Sequence, residues 1–264
     1  MNKKILIIII FATSMITKLE AQWVVSSVGF QVGPSFGYKF QKAANTNTVP
    51  GFPFNYKQMS DSTNKTDQFR VGYDLGFNAM FNGGGTSFFQ IGLQYRTIGF
   101  RRLLVNLQYL DSIQYFGLID GHSQTGSKDV RYKYQYHMIE LPITYCIGMQ
   151  NIEKMFDPFT WFITVGVTPS FLFANTMWAR CYGFDIDGVN QISRVKDVNF
   201  NYKKFMVFGN IGAKFMYRHP ENDNLKFSLQ PTIYIPTTSI TAGGSGINMW
   251  IPSINLHAGI NYSF

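Results

Sequence analysis

From Ile254 to Phe264 every second residue is apolar: Ile254, Leu256, Ala258, Ile260, Tyr262 and Phe264 alternate with Asn255, His257, Gly259, Asn261 and Ser263. Successive side chains of a strand point to opposite faces, so this segment reads as a strand with one greasy and one polar side. The same period recurs upstream. Over 25–40, Val28, Phe30, Val32, Phe36, Tyr38 and Phe40 oppose Gly29, Gln31, Gly33, Ser35, Gly37 and Lys39. Over 68–81, Phe69, Val71, Tyr73, Leu75, Phe77, Ala79 and Phe81 oppose Arg70, Gly72, Asp74, Gly76 and Asn78. Further strands are expected over 87–101, 131–147, 159–173, 202–218 and 225–236. In 131–147, Tyr132, Tyr134 and Tyr136 fall on the opposite parity from Ile139, Leu141, Ile143, Tyr145 and Ile147. A bulge near 137–139 is expected to flip the facing there.

A water-soluble sheet shows the same alternation, and the connectors separate the two cases. Long polar stretches at 41–67, 103–130 and 174–201 alternate with brief ones at 82–86, 148–158 and 219–224, and a medium one spans 237–246. A soluble sandwich has no reason to alternate in this way. An up-and-down barrel in a bacterial outer membrane does, with short periplasmic turns, long outer loops and an even strand count. Glycines gather on the inward parity, as a narrow interior requires. The expected fold is all-β: a single eight-stranded antiparallel up-and-down transmembrane barrel over 22–264.

Residues 1–21 read as a cleaved signal peptide. Lys3 and Lys4 precede the apolar run Ile5–Ala12, and Leu19-Glu20-Ala21 supplies an imperfect cleavage site. That run is too short to span a bilayer as a helix, for which about 20 residues are needed. Aromatics at 17 % against charged residues at 14 % suit a barrel with aromatic girdles and argue against disorder. Trp23, Tyr38, Trp161, Trp178, Tyr217, Trp250 and Tyr262 are girdle candidates, and the methionines and other aromatics are assigned to lipid contact. The net charge of +8 is spread without a basic cluster, so nucleic acid is not an expected partner. Anionic lipid or lipopolysaccharide headgroups are. Cys146 falls near the periplasmic rim and Cys181 in an outer loop, so no intramolecular disulfide is expected.

The segments VGFQVGPSFGYKF (28–40), FFQIGLQYRTIGFR (88–101), YHMIELPITYCIG (136–148), GVTPSFLF (166–173), FMVFGNIGAKFMY (205–217) and INLHAGINYSF (254–264) resemble the PorT-like outer-membrane β-barrels of Bacteroidota. The Leu141-Pro142 step after an acidic residue, and the pair Gly209 and Gly212, fit that look. The resemblance covers essentially the whole mature chain. It implies localisation in the cell outer membrane and, through the founding member, an accessory role in type IX secretion. Ile260, Tyr262 and Phe264 look like the C-terminal signal that the barrel-assembly machinery reads.

No catalytic site, metal site or cofactor is expected. Pairing adjacent strands about their turns places Asp74 opposite Gln94 and diagonal to Arg96, brings Glu140 near Arg96, and leaves Arg70 above them. This lumenal cluster could be a proton or ion path, or a gate. The favoured reading is a plug that pairs charges inside a closed interior, because burial demands pairing. His122-Ser123 lacks an assignable acidic orienter, and adjacent residues cannot readily act as base and nucleophile. His137, His219 and His257 are too scattered for a metal site, and His257 reads as lumenal filler. The leading function is an outer-membrane barrel of structural or interaction type. A secretion accessory and, from a different class, a lipid-modifying enzyme are the alternatives.

Overall fold

Strand pairing closes on itself in the computed structural model, which describes residues 24–44, 47, 55–82, 86–109, 126–149, 158–182, 192–195, 202–242 and 246–264. The proposed signal peptide, Trp23 and His122-Ser123 lie outside these residues. The wall is built from β1 (Val24–Gly37), β3 (Asp67–Asn82), β4 (Phe88–Tyr109), β5 (Gly126–Glu140), β6 (Ile143–Gly148), β7 (Phe159–Tyr182), β9 (Phe205–His219), β10 (Asn222–Pro236) and β12 (Ser253–Ser263). β5 and β6 are successive halves of one wall position. Every neighbouring pair is antiparallel, and the circuit runs β1, β3, β4, β5 with β6, β7, β9, β10, β12 and back to β1: an eight-stranded barrel. The seam is firm, with Phe30 opposite Ile260 and Phe36 opposite Ile254. No described helix is long and apolar enough to cross a membrane. The crossing is made by strands.

The period-two pattern dictates which side faces where. Phe30, Val32, Phe36, Val71, Leu75, Phe77, Leu93, Val165, Val167, Ile211, Ile233, Ile254 and Ile260 are all exposed on the outside. Their opposite parities, Gln31, Ser35, Asp74, Asn78, Gln94, Thr164, Asn210, Asn255 and Asn261, are buried within. An outer surface this apolar is stable only against lipid. From Ile254 to Phe264, at about 3.4 Å per residue and a tilt of roughly 40°, the belt rises about 26 Å, which matches a bilayer's apolar band. The narrow bore constrains the inner face. A Cβ on Gly33 would lie 1.9 Å from the Leu256 carbonyl oxygen, so only glycine fits that crossing.

Three features differ from the sequence expectation. β5 and β6 keep one facing throughout: Tyr132, Tyr136, Met138 and Glu140 all point inward while Ile139, Leu141 and Ile147 point out. The expected bulge lies instead in the partner strand, where His137 and Met138 face Ala174 and Leu172 and Phe173 is the extra residue. Tyr136 is inward because the wide outer end of the lumen is filled by large side chains. What interrupts the strand is Pro142, which has no N–H for the ladder; its carbonyl still accepts from Gly92 N at 2.9 Å.

Second, the polar stretch after β1 is folded. β2 (Phe40–Ala43) pairs with β11 (Ile247–Trp250) as a small sheet, and helix α1 (Tyr56–Thr66) runs directly into β3. α1 has no apolar stripe, so periodicity could not reveal it. Its signal is a capping box: Asn55 Oδ1 accepts from Gln58 N at 2.8 Å, and Gln58 Oε1 accepts from Asn55 N at 3.0 Å. Asn64 and Thr63 tie it to β2, with Asn64 Nδ2 donating to the Gln41 carbonyl at 2.8 Å.

Third, most of the described methionines are not lipid-facing, Met149 being exposed. Met80, Met138, Met206, Met216 and Met249 are buried inside, where an unbranched side chain fills irregular gaps in a tapering lumen. Two apolar clusters result. Met80, Phe88, Cys146, Phe162 and Met216 pack together at the short-turn end. Ile98, Phe100, Tyr136, Met138, Leu172, Met206, Phe208, Tyr234, Ile240, Met249 and Ile251 form a larger plug toward the long-loop end. Cys146 is buried and free, with no disulfide.

Candidate functional site

Between the two apolar clusters lies a polar layer in which the chain buries formal charge. β3 and β4 place Asp74 opposite Arg96, two residues from the expected partner Gln94, which faces Gly76. β4 and β5 place Glu140 opposite Gln94, so Arg96 reaches it diagonally. Arg96 Nη2 donates to Glu140 Oε1 at 2.6 Å, and Arg96 Nη1 donates to Ser253 Oγ at 2.9 Å. Ser170 Oγ donates to the same Glu140 oxygen at 2.7 Å. The guanidinium is sandwiched by ring faces, 4.3 Å from the Tyr234 centroid and 4.6 Å from that of Phe208. Such stacking suits a weakly hydrated planar cation in a dry site.

Asp74 has its own partners. Asn255 Nδ2 donates to Asp74 Oδ2 at 2.8 Å, and His257 Nε2 lies 3.1 Å from Asp74 Oδ1. Ser35 Oγ extends the chain by donating to Asn255 Oδ1 at 3.1 Å. The predicted cluster is therefore two adjoining units, Arg96 with Glu140 and Asp74 with Asn255 and His257. Arg70 joins neither. It reaches β5, with Nη1 donating to the Tyr134 carbonyl at 3.0 Å and Nη2 to Gln135 Oε1 at 2.6 Å.

Sequence reasoning missed two buried cations. Lys39, just past the end of β1, is paired with Asp67, and Arg102 Nε donates to the same carboxylate at 2.8 Å. Two cations thus share one acid at the long-loop rim. Burial first, then the charge of Arg102, push the Lys39 ammonium down to about 7 against the pull of Asp67. Its ammonium also lies 4.4 Å from the Phe100 ring centroid. Lys214, fully buried beside the lower apolar cluster, donates to Gln90 Oε1 at 2.6 Å. Lys214 sits on the inward parity of β9 and Lys39 continues the inward parity of β1, and that parity was the available signal.

Above the belt the wall continues on one side only. β4 runs on to Tyr109 against β5, β5 against β7 as far as Tyr182, and β8 (Ile192–Val195) pairs with β7 through Met177 to Arg180. β3 leaves β4 at the Asp67–Arg102 pair. A short sheet of β4, β5, β7 and β8 therefore stands beyond the barrel, with the outer edges of β4 and β8 unpaired among the described residues.

No family model matches this chain, and no curated protein matches it in sequence. Solved structures similar to it are outer-membrane proteins. Ail of Yersinia pestis, in complex with a heparin analogue, is 11 % identical at a TM-score of 0.31, over 90 % of this chain and 100 % of that one. Neisserial surface protein A is 10 % identical at 0.33, over 89 % and 97 %. The outer membrane protease OmpT of Escherichia coli is 12 % identical at 0.38, over 92 % and 98 %. These scores carry no argument about activity. The fold rests on the closed strand circuit and the apolar belt, and those two features make the chain an outer-membrane-type β-barrel.

Among the described residues the polar layer lies between the two apolar clusters, and an eight-stranded bore is just wide enough for side chains to fill. Tyr262 and Phe264 stand on the lipid face at the last positions of the chain, exposed and edge to face with centroids 5.9 Å apart. Of the girdle candidates, Tyr38, Trp178, Tyr217 and Tyr262 are exposed on the outside.

Proposed function

We propose that this chain is an integral outer-membrane barrel of structural or interaction type, exported through the leader at 1–21, without catalytic or transport activity. The observation that supports this reading is the combination of a lumen packed with apolar clusters on either side of its polar layer with a sheet that rises past the belt on one side. A barrel that cannot conduct leaves its surfaces as the functional parts, and exposed sheet edges are ready templates for a pairing strand. The two lumenal units act as internal braces linking β4 to β5 and β12, and β3 to β12. The short-turn end faces the periplasm, and the β4–β5 and β7–β8 hairpins face outward.

The PorT-like resemblance makes proteins of a secretion machine the candidate partners at that sheet. Two experiments test the reading. In planar bilayers the purified protein is expected to give no stable conductance steps; reproducible openings would sink it. A photo-crosslinking residue at Gln108 or Arg194, the two outer hairpins, is expected to capture a discrete partner band in intact cells. The same residue at outward Leu93 within the belt should not capture that band.

A further inference from the structure

The short-turn end of the lumen gathers sulfur, a feature that the interaction reading does not use. Met80 of β3, Cys146 of β6 and Met216 of β9 pack in one buried cluster with Phe88 and Phe162. None of these three strands pairs with another of the three, so the side chains meet from separate sectors of the wall. Met80 and Met216 also line a cavity of about 220 Å³ at this mouth. Cys146, fully buried and free, packs behind that lining. Gap-filling accounts for Met138, Met206 and Met249 in the larger plug, which contains no thiol. The lower cluster differs in joining two thioethers to a thiol.

That donor set selects for a particular ion. Thioether and thiolate sulfurs are soft ligands that favour copper(I), whereas zinc sites draw on imidazole, carboxylate and thiolate. The charge already present narrows the choice further. Lys214 Nζ donates to Gln90 Oε1 at 2.6 Å and lies 4.0 Å from Met80 Sδ, and all three side chains are buried. A monovalent ion that takes the place of the thiol proton leaves the net charge of the cluster unchanged. A divalent ion would add a positive charge beside a buried ammonium, where water cannot screen it. Directly across from Cys146 on β7, Thr164 is fully buried and its Oγ1 has no hydrogen-bond partner. Side chains so placed stand about 5 Å apart at Cβ. A hydroxyl donor there is satisfied by a thiolate sulfur far better than by a thiol.

We infer that Met80, Met216 and Cys146 bind one soft monovalent metal ion of the copper(I) class, entering by the short-turn mouth. Loading breaks the Cys146 S–H bond, forms a sulfur–metal bond and releases the proton to water. Met80 Sδ and Met216 Sδ each donate a lone pair, and no oxidation state changes.

The test uses the full chain folded in maltoside detergent under anaerobic conditions, with copper(I) delivered from its coloured complex with bicinchoninate. Loss of the colour reports transfer to the protein. Wild type and Cys181→Ser are expected to take a single ion per chain. Cys146→Ser, and the pair Met80→Leu with Met216→Leu, should each weaken affinity at least about tenfold, a loss that even an outer-shell change commonly produces at a metal site. Leucine conserves the volume of methionine, and the gel shift between boiled and unboiled samples verifies folding. Copper-edge X-ray absorption on loaded wild type should show a first shell of sulfur, and it needs no variant. Failure of copper(I) to leave the chelator overturns the inference. So does affinity unchanged in the methionine pair, which would reduce the site to a reactive thiol. A first shell of nitrogen and oxygen, or displacement of copper(I) by equimolar zinc(II), overturns it as well.

Discussion

Replacing Lys39 by Met should stabilise the barrel near neutral pH and remove a pH dependence that wild type shows. Lys39 is buried at the rim, where it shares Asp67 with Arg102. Its ammonium is held at about 7, against 10.5 for an unhindered lysine. Between those values the unfolded chain keeps the proton and the folded chain does not, so the unfolded state binds more protons and stability rises with pH across that window. Below about 7 both states are charged, and the cost of a charged buried amine is carried in full. A displacement of this size corresponds to roughly 4–5 kcal/mol between the two ends of the window. Methionine keeps the stem volume over Phe100 and leaves Asp67 with Arg102, whose Nε and Nη2 lie 2.8 and 3.4 Å from its two oxygens. Urea midpoints followed by tryptophan fluorescence in lipid vesicles at pH 6.5, 8.5 and 10.5 would measure the effect. Other lysines titrate in both proteins and cancel in the difference. The variant should be the more stable at pH 6.5, with its advantage shrinking toward pH 10.5. A variant less stable than wild type at pH 6.5, or a difference flat across the three values, would refute the reasoning.

Other outcomes follow from the same geometry. Arg96→Leu alone strands Glu140 without its counter-ion in the polar layer and should cost about 3–5 kcal/mol in the urea assay, whereas Arg96→Leu with Glu140→Leu should recover most of that loss; a double variant as unstable as the single would contradict a bracing role. Gly33→Ala pushes a Cβ into the Leu256 carbonyl and should cost about 1–3 kcal/mol or lower the refolded yield. Phe264→Ala, on an exposed lipid-facing ring, should leave refolding in vesicles nearly unchanged while lowering the heat-modifiable fraction recovered from cell envelopes; equal recovery would remove the assembly-signal reading of Ile260, Tyr262 and Phe264.

The wall of this barrel was legible because a period-two pattern repeats wherever one face meets lipid and the other meets polar side chains. Phe36, Val71 and Ile254 report the same boundary on three adjacent strands, and no soluble alternative gives long and short connectors in strict turn. The interior was legible only by parity. Asp74, Arg96 and Glu140 stand on inward positions, but which atoms meet depends on register. The expected register failed by two residues between β3 and β4, because the ladder starts with Asn82 opposite Phe88 and is not centred on Gly84. Arg70 shares the inward parity of Asp74, but its guanidinium is held by Tyr134 and Gln135 of β5 and not by the cluster. Helix α1 escaped because its stability comes from a cap and from hydrogen bonds to β2 rather than from an apolar stripe. The tyrosines of β5 misled for the opposite reason. Large aromatics on a strand suggest lipid or interface, but at the wide end of a closed barrel they are core.

The placement of charge along the lumen argues for where an outside partner is needed. In the middle layer the partners come from within the protein: Arg96 donates to Glu140, and Asp74 accepts from Asn255 with His257 Nε2 beside it. At the long-loop rim Lys39 and Arg102 divide a single Asp67. A buried or half-buried cation is stable only when something supplies the opposite charge. Inside the belt that something must come from the chain itself, because hydrocarbon offers none. At either rim it can come from the headgroup layer or from a bound anion. Two cations sharing one acid are therefore tolerable at the long-loop rim, where headgroups and water are near, whereas Arg96 and Glu140 of the middle layer are paired directly.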